Sequence, residues 1–313
     1  MLIITDLAQL HSFDKPCVVA MGTFDGLHLG HLDVIMKAKS MAQQQEALLT
    51  VFTFNGHPLE LIRPESAPVA LLSQAEKRKI FEKYGVDVLL DLPFNREMAE
   101  LTPEIFFAKL LRLGISGIVV GENFTYGKEG AGTPTTLAQS ATASGVALEV
   151  RPLVKLKGVA VSSTRIRQLL LAGKVEEAEE LLGRPYVLSG VVAHGNERGR
   201  LLGFPTANLE LADQRIALPP EGVYAVEVKV QDGYYPGMAN IGRNPTFADV
   251  MSPRLETHLF GYSGNLYGQE IRVALRHRVR AQVRFASVDE LQAQLERDKR
   301  SCQEFLGLVP PKM

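Results

Sequence analysis

The sequence predicts an α/β protein in two parts. The first is a doubly wound, mostly parallel sheet, and the second is an antiparallel β-barrel with a C-terminal helix. Three observations carry this reading. From residue 17 to about 182, short apolar runs alternate with stretches of helical spacing. Beyond Gly183, Arg184 and Pro185, apolar residues recur at every second position. The final stretch, 288–306, returns to helical spacing. The change of period sets the boundary, giving domains 1–183 and 184–313.

In the first domain the strand candidates are 17–21, 47–54, 86–92, 117–120 and 147–151. Helical stretches between strands require crossover connections, hence a parallel sheet covered on both faces. Ser73 followed by Glu76 reads as a capping box, and Thr102-Pro103 as an N-cap with proline at the first helical position. In the second domain Tyr224, Val226, Val228 and Val230 alternate with Ala225, Glu227 and Lys229. Leu255, Thr257 and Leu259 alternate with Glu256, His258 and Phe260, and Ile271, Val273 and Leu275 with Arg272, Ala274 and Arg276. Period two with Gly and Pro between the runs is the mark of an antiparallel sheet or barrel. In the terminal helix Leu291, Leu295, Cys302 and Phe305 form the expected inner stripe.

A length of 313 residues suits two domains, and 46% hydrophobic with 22% charged residues is ordinary for globular chains. Lys and Arg total 34 against 35 acidic residues, a net charge of -1, so no nucleic-acid partner is expected. Two cysteines, Cys17 and Cys302, support neither a disulfide framework nor a cysteine zinc site. The first ten residues lack a basic segment before an apolar core, and no apolar run approaches the ~18 residues of a membrane span. The expectation is a soluble cytoplasmic protein with no membrane partner. Oligomeric state is open.

The run Gly22-Thr-Phe24-Asp25-Gly26-Leu-His28-Leu-Gly-His31 follows the first strand and leads into a helical pattern. A strand, a Gly-rich turn and a helix present a site at the carboxyl ends of parallel strands. Gly22 and Gly26 let backbone approach a ligand, and the helix start offers N–H groups to phosphate. His28 and His31, three apart, can project from one side of the first turn. The pair suits phosphate oxygens. It could also bind a metal, although no third ligand is near, or simply cap and pack. The spacing matches neither the P-loop nor the dinucleotide fingerprint. A second element, Val161-Ser162-Ser163-Thr164-Arg165-Ile-Arg167, places hydroxyls at a helix start with guanidinium forks behind them. Alone it reads as an N-cap with two solvated arginines.

Together these motifs resemble the HxGH nucleotidyltransferases, specifically the Rossmann-like adenylyltransferase module of prokaryotic bifunctional riboflavin kinase/FAD synthetases. The resemblance implies catalytic roles for His28 and His31. It implies nucleotide and phosphate contacts from Gly22, Phe24, Asp25, Gly26, Ser162, Ser163, Thr164, Arg165 and Arg167. The run Gly121-Glu-Asn123-Phe124-Thr-Tyr-Gly127 resembles the family's loop near nucleotide and FMN, adding Asn123. Phe52-Thr-Phe-Asn55-Gly-His57-Pro58 departs from the family's acidic-Pro-His-Pro form at Asn55 and Gly56.

From Gly183 onward the chain resembles the riboflavin kinase module of the same proteins. The residues that carry this are Gly190-Val-Val-Ala-His-Gly195, Gly199-Arg-Leu-Leu-Gly203-Phe-Pro205-Thr206-Ala-Asn208, Gly222-Val-Tyr-Ala, Asn240-Ile-Gly-Arg-Asn-Pro-Thr and Leu255-Glu256-Thr-His. On their own, Gly199 and Gly203 make a close-approach loop. Thr206 and Asn208 offer oxygens two residues apart, which suits a Mg²⁺ that keeps most of its waters and takes other oxygens from ATP; a plain Pro-Thr-x-Asn turn is the alternative. The resemblance implies that Thr206 and Asn208 hold Mg²⁺, that Gly195, Gly199, Gly203 and Pro205 contact the nucleotide, and that Glu256 is the general base. Otherwise Glu256 is a solvated strand residue. His258 and Phe260 share its face, which is then expected to line the site rather than the core. Arg280-Ala-Gln-Val stands where the family commonly has an Arg-Pro-Glu turn.

The resemblance implies an enzyme that phosphorylates riboflavin to FMN in the C-terminal domain and adenylylates FMN to FAD in the N-terminal domain. Its partners are ATP, riboflavin, FMN and FAD. Two rivals stand beside it: an HxGH nucleotidyltransferase for another phosphate acceptor, and a non-catalytic flavin- or nucleotide-binding sensor.

Overall fold

The computed structural model describes residues 1–194, 203–213, 215–231, 233–243 and 253–309. The chain divides into two compact units, Met1–Ser163 and Thr164–Met313.

The first unit contains strands β1 (Leu2–Ile4), β2 (Cys17–Met21), β3 (Leu48–Asn55), β4 (Val88–Pro93), β5 (Ile115–Gly121) and β6 (Ala147–Arg151). They form one sheet in the order β1-β4-β3-β2-β5-β6, with every pair parallel. Between them run α1 (Leu29–Gln44), α2 (Leu59–Ile62), α3 (Gln74–Lys83), α4 (Arg96–Ala99), α5 (Pro103–Leu111) and α6 (Pro134–Ala143). Successive residues of the central strands enter opposite cores. Val19, Met21, Leu90, Leu92, Ile118 and Val120 join one, while Val18, Ala20, Leu89 and Val119 join the other. A sheet buried on both faces needs such unbroken apolar strands, which is why they were legible as runs. β1 was not anticipated, because three residues are too few to show a period. Ser73 Oγ accepts from Glu76 N, one half of the expected capping box, and Thr102 Oγ1 accepts from Ile105 N as expected. Each such cap is worth about 1 kcal/mol. The short hairpin β7 (Lys155–Leu156) and β8 (Val159–Ala160) follows.

The helices α7 (Ser163–Leu171) and α8 (Val175–Leu182) precede the barrel. Six antiparallel strands, β9 (Tyr186–Ala193), β10 (Ala207–Leu211), β11 (Gly222–Val230), β12 (Gly233–Arg243), β13 (Pro253–Leu259) and β14 (Glu270–Ala281), close in the order β10-β13-β12-β11-β14-β9. Tyr224, Val226, Val228, Leu255, Thr257, Ile271, Val273 and Leu275 are buried, as their alternation requires. α8 packs on β14 and β9, with Glu176 against His277 and Glu179 against Arg276. This groups α8 with the barrel.

The terminal helix α9 (Val288–Phe305) lies on the outer wall over β11 and β12. There Phe204, Ala225, Met238 and Cys302 form a further buried cluster, joined by Phe260, Val279, Leu295 and Leu306. Two expectations are corrected. Phe305 is not on the inner stripe; it is 46% exposed and stacks on His277 at 4.5 Å. The inner stripe instead carries Asp298, which is buried and receives Arg280 through Nε and Nη2 at 2.6–3.1 Å. A bidentate guanidinium–carboxylate pair satisfies a charge that would otherwise be costly to bury. The face shared by Glu256, His258 and Phe260 also differs from expectation, because α9 covers its far end. His258 is 8% exposed, edge-on to Phe204 and Phe260, and its Nδ1–H donates to Pro205 O at 2.7 Å.

Two outcomes follow from this packing. Leu90→Ala should lower unfolding free energy by about 2–5 kcal/mol, read from the urea transition of the N-terminal unit, because Leu90 is fully buried in the sheet; an unshifted transition would contradict the assigned core. Burial pushes the His258 imidazole below its ordinary value, opposed by its bond to Pro205. The neutral form is therefore favoured on folding, and stability present at pH 7 should fall as pH drops below ~6.5. Thermal midpoints measured from pH 7 to 5 should fall less steeply for His258→Leu than for the parent; parallel curves would refute the linkage.

Candidate functional site

Strand order reverses at β2, which has β3 on one side and β5 on the other. In open parallel sheets such a point opens a crevice at the carboxyl ends of the strands. The Gly22–His31 turn leaves β2 there and the Gly121–Gly127 loop leaves β5. The turn is tightly wound: Phe24, Gly26 and Leu27 all have positive φ (49°, 83° and 42°). A Cβ at Gly26 would lie 2.7 Å from Leu71 Cδ1, so only glycine fits. Asp25 Oδ1 accepts from Leu71 N at 2.9 Å, pinning the turn to the segment before α3. Phe24 is buried against Phe81 and edge-on to His31. It can therefore offer a ligand its backbone, not its ring.

His28 is the N-cap of α1. Its Nδ1 accepts from His31 N at 3.3 Å, and the two rings stack 3.6 Å apart at 17°. Nδ1 acting as acceptor assigns the proton of the neutral ring to Nε2, a donor suited to a phosphate oxygen. The unnamed middle residue of the motif also has a function. A Cβ on Gly30 would sit 3.2 Å from His28 Cε1, so glycine leaves room for the ring, and Val161 O lies 3.9 Å from the same point. The second motif thus begins beside the first, and Ser163 Oγ donates to Asp25 O at 2.8 Å. Ser162 precedes the helix, while Thr164, Arg165 and Arg167 lie on the first two turns of α7 around the buried Ile166.

Asn123 is exposed on the turn after β5, closed by Phe124 N donating to Gly121 O at 3.0 Å. Two features escaped the sequence reading. Phe52, Phe54, Phe94, Phe106, Phe124 and Tyr126 form an aromatic cluster with centroid separations of 5.1–5.8 Å. Nothing in their spacing brings together residues so scattered. Lys77 is buried beneath the turn. It shares a helical stripe with Ile80 and Phe81, and a charge at a core position was the available signal.

In the barrel the register aligns three polar side chains. Glu256 on β13 lies opposite Asn208 of β10 and opposite Asn240 of β12. Their strand neighbours Ala207, Leu209, Leu255, Thr257, Ala239 and Ile241 are buried, so the Asn208–Glu256–Asn240 row lies on the outer wall, where all three are half-buried. Thr206 immediately precedes β10 and is half-buried too. Gly203 has φ 81° and is exposed; Phe204 then anchors the segment under α9, and Pro205 holds His258. Gly195, Gly199 and 244–246 lie outside the described residues. Asn240 was quoted only as part of a run, and its place beside Glu256 depends on strand register. Among the described residues no cluster of three or more His, Cys, Asp or Glu could hold a metal. Among the described residues, a cation here would rely on neutral oxygens, the carboxylate of Glu256 and its own ligand. That suits a hard ion arriving with a polyphosphate.

Comparison with known proteins matches both parts of the chain. A family model described as FAD synthetase matches residues 10–165, and one described as riboflavin kinase matches 182–306. A bifunctional riboflavin kinase/FMN adenylyltransferase of Escherichia coli strain K12 is 39% identical over 298 residues, covering 94% of each chain. That of Bacillus subtilis is 38% identical over 294 residues, covering 93% of this chain and 92% of its own. A crystal structure from Streptococcus pneumoniae described as a macrolide-efflux protein has a TM-score of 0.88 and 34% identity, covering 96% of this chain and 98% of its own. Among the described residues no helix is long and apolar enough to cross a membrane. With both modules matched in succession and identity near 39% across almost the whole length, the chain belongs to the bifunctional riboflavin kinase/FMN adenylyltransferase family.

Proposed function

We propose that the family's two reactions are divided between residues 1–183 and 184–313. The barrel domain transfers the γ-phosphoryl group of ATP to the ribityl 5′-hydroxyl of riboflavin, giving FMN and ADP. The parallel-sheet domain transfers AMP from a second ATP to FMN, giving FAD and pyrophosphate. The chain is a riboflavin kinase and an FMN adenylyltransferase in one polypeptide, and dependence on ATP suits a cytoplasmic setting. The observation that carries the adenylyl-transfer assignment is the His28–His31 stack at the start of α1, tied to the second motif through Ser163 and Asp25.

In adenylyl transfer an FMN phosphate oxygen bonds to the α-phosphorus as the bond to the β-phosphate oxygen breaks. The attacking phosphate is already mostly dianionic at neutral pH, its second pKa being ~6, so no general base is required. The site must neutralise charge and align two anions. Nε2–H of His28, the ring of His31, the backbone of Gly22, Phe24, Asp25 and Gly26, and Ser162, Ser163, Thr164, Arg165 and Arg167 serve that purpose. Asn123 borders the crevice from β5.

In the kinase reaction Glu256 takes the proton of the 5′-hydroxyl as its oxygen bonds to the γ-phosphorus and the bond to the β-phosphate oxygen breaks. Asn208 and Asn240 flank the carboxylate and restrict its orientation. Thr206 and Asn208 fit a Mg²⁺ that enters with ATP, and that ion supplies neutralisation of the phosphate charge. Gly203 and Pro205 line the nucleotide side, with Gly195 and Gly199 assigned there by the resemblance.

The assignments separate cleanly in mutants. His28→Ala should lower FMN adenylylation at least ~10²-fold while riboflavin phosphorylation stays within twofold of the parent. Glu256→Gln should do the reverse, by ~10²–10⁴-fold. Separate assays with riboflavin and with FMN decide it, and loss of both activities in a folded single variant would refute two independent sites. Asn208→Ala should raise the Mg²⁺ concentration needed for half-maximal kinase activity several-fold; an unchanged Mg²⁺ titration would remove Asn208 from the metal site.

A further inference from the structure

Beneath the Gly22–His31 turn lies a charged side chain that neither reaction employs. Lys77, on α3, is 6% exposed. Its Nζ donates to Thr23 O at 2.8 Å, Thr53 Oγ1 at 2.8 Å and Phe54 O at 3.2 Å, and Thr53 Oγ1 donates in turn to Thr23 O at 3.0 Å. An ammonium has three N–H donors, and these three acceptors match them. The acceptors lie where two adjacent strands run out. The bond from Gly22 N to Phe52 O at 3.2 Å ties β2 to β3 at that point, and Lys77 extends the tie one residue further, onto Thr23. The next residue, Phe24, begins the positive-φ turn that carries His28.

Burying an ammonium is costly unless it is paired and fully hydrogen-bonded. An apolar residue would fill this stripe of α3 at no such cost, so the charge reflects what it holds in place. We infer that Lys77 is a positioning residue for adenylyl transfer: it clamps Thr23 O to the end of β3 and thereby sets the turn from which His28 and His31 meet phosphate. The inference rests on the adenylyl-transfer assignment to this domain.

The clamp should also titrate. Burial brings the Lys77 pKa down to about 8, with Asp91 and Asp25 opposing the shift. The charged groups facing it are Asp25 from the turn and Asp91 from β4, the latter ion-paired with Arg78 of α3; the turn's other titratable groups are His28 and His31. Above its pKa the neutral Lys77 amine has two N–H groups for three acceptors. Adenylylation should therefore decline as pH rises past 8.

The 313-residue chain, with Lys77→Met, Lys77→Arg, Thr53→Val and His28→Ala, tests this through kcat and KM for FMN adenylylation, with the urea transition of the N-terminal unit as the measure of its folding and riboflavin kinase activity as the measure of the other unit. Lys77→Met should lose at least tenfold in adenylylation kcat, with FMN KM and kinase activity within twofold of the parent. Lys77→Arg should recover most of that loss and move the alkaline decline to higher pH. Thr53→Val should lose three- to tenfold. Adenylylation within twofold of the parent in Lys77→Met would overturn the inference, as would a Lys77→Arg protein no more active than Lys77→Met or with an unmoved alkaline limb. Should Lys77→Met fail to fold, unchanged adenylylation in Thr53→Val overturns it instead. If His28→Ala still adenylylates, the domain assignment itself fails and takes the clamp with it; if His28→Ala is inactive and Lys77→Met is not, the clamp alone fails.

Discussion

The N-terminal site depends on a gap that a parallel sheet cannot close. Neighbouring β2 and β5 send their following helices to opposite faces: Val34, Ile35 and Ala38 of α1 enter one core, while Leu137 and Ala141 of α6 enter the other. The two loops diverge and leave a crevice at the carboxyl ends of the strands, beside the start of α1. Phosphate is a natural occupant of that space. Much of the HxGH turn exists to keep this opening in shape. Leu71 excludes a side chain at Gly26, Asp25 binds the Leu71 amide, and Gly30 makes room for the capping imidazole. Residues that resemble ligand contacts in sequence are, in several cases, the supports of those contacts.

The barrel solves a different problem. A closed antiparallel sheet has no gap at a switch point and its interior is filled with side chains. The proposed kinase chemistry lies on the outer wall, where register alone decides which groups meet. Asn208, Glu256 and Asn240 come from three strands, and pairing brings them into a single row. α9 then covers the wall beside this row, burying His258 and leaving Phe260 and Glu256 half-buried. Arg280 and Asp298 tie the helix to β14. The kinase match over 182–306 gives this region an activity of its own, so it is more than an appendage to the first domain.

The parts legible in the sequence were those governed by local repetition. Strands buried on both faces read as runs, half-buried strands read as alternation, and His28 with His31 read as a pair because one helical turn separates them. The rest depends on distant partners. Period two shows that Glu256, His258 and Phe260 share a face but not that a helix 30 or more residues later covers part of it. A stripe of spacing three and four suggested Phe305, whereas Asp298 occupies the buried position because Arg280 neutralises it. The stripe of Ile80 and Phe81 places Lys77 at a core position, but the partners that hold it there, Thr23, Thr53 and Phe54, come from distant segments.

The row on the barrel wall limits how this chain can vary in length. Because successive residues of β13 face alternately in and out, removing or adding one residue there would turn the carboxylate into an apolar interior and push Leu255 or Thr257 onto the reactive surface. Composition would be almost unchanged, yet the proposed base would be gone from the outer wall. β10, β12 and β13 must therefore keep their residue count.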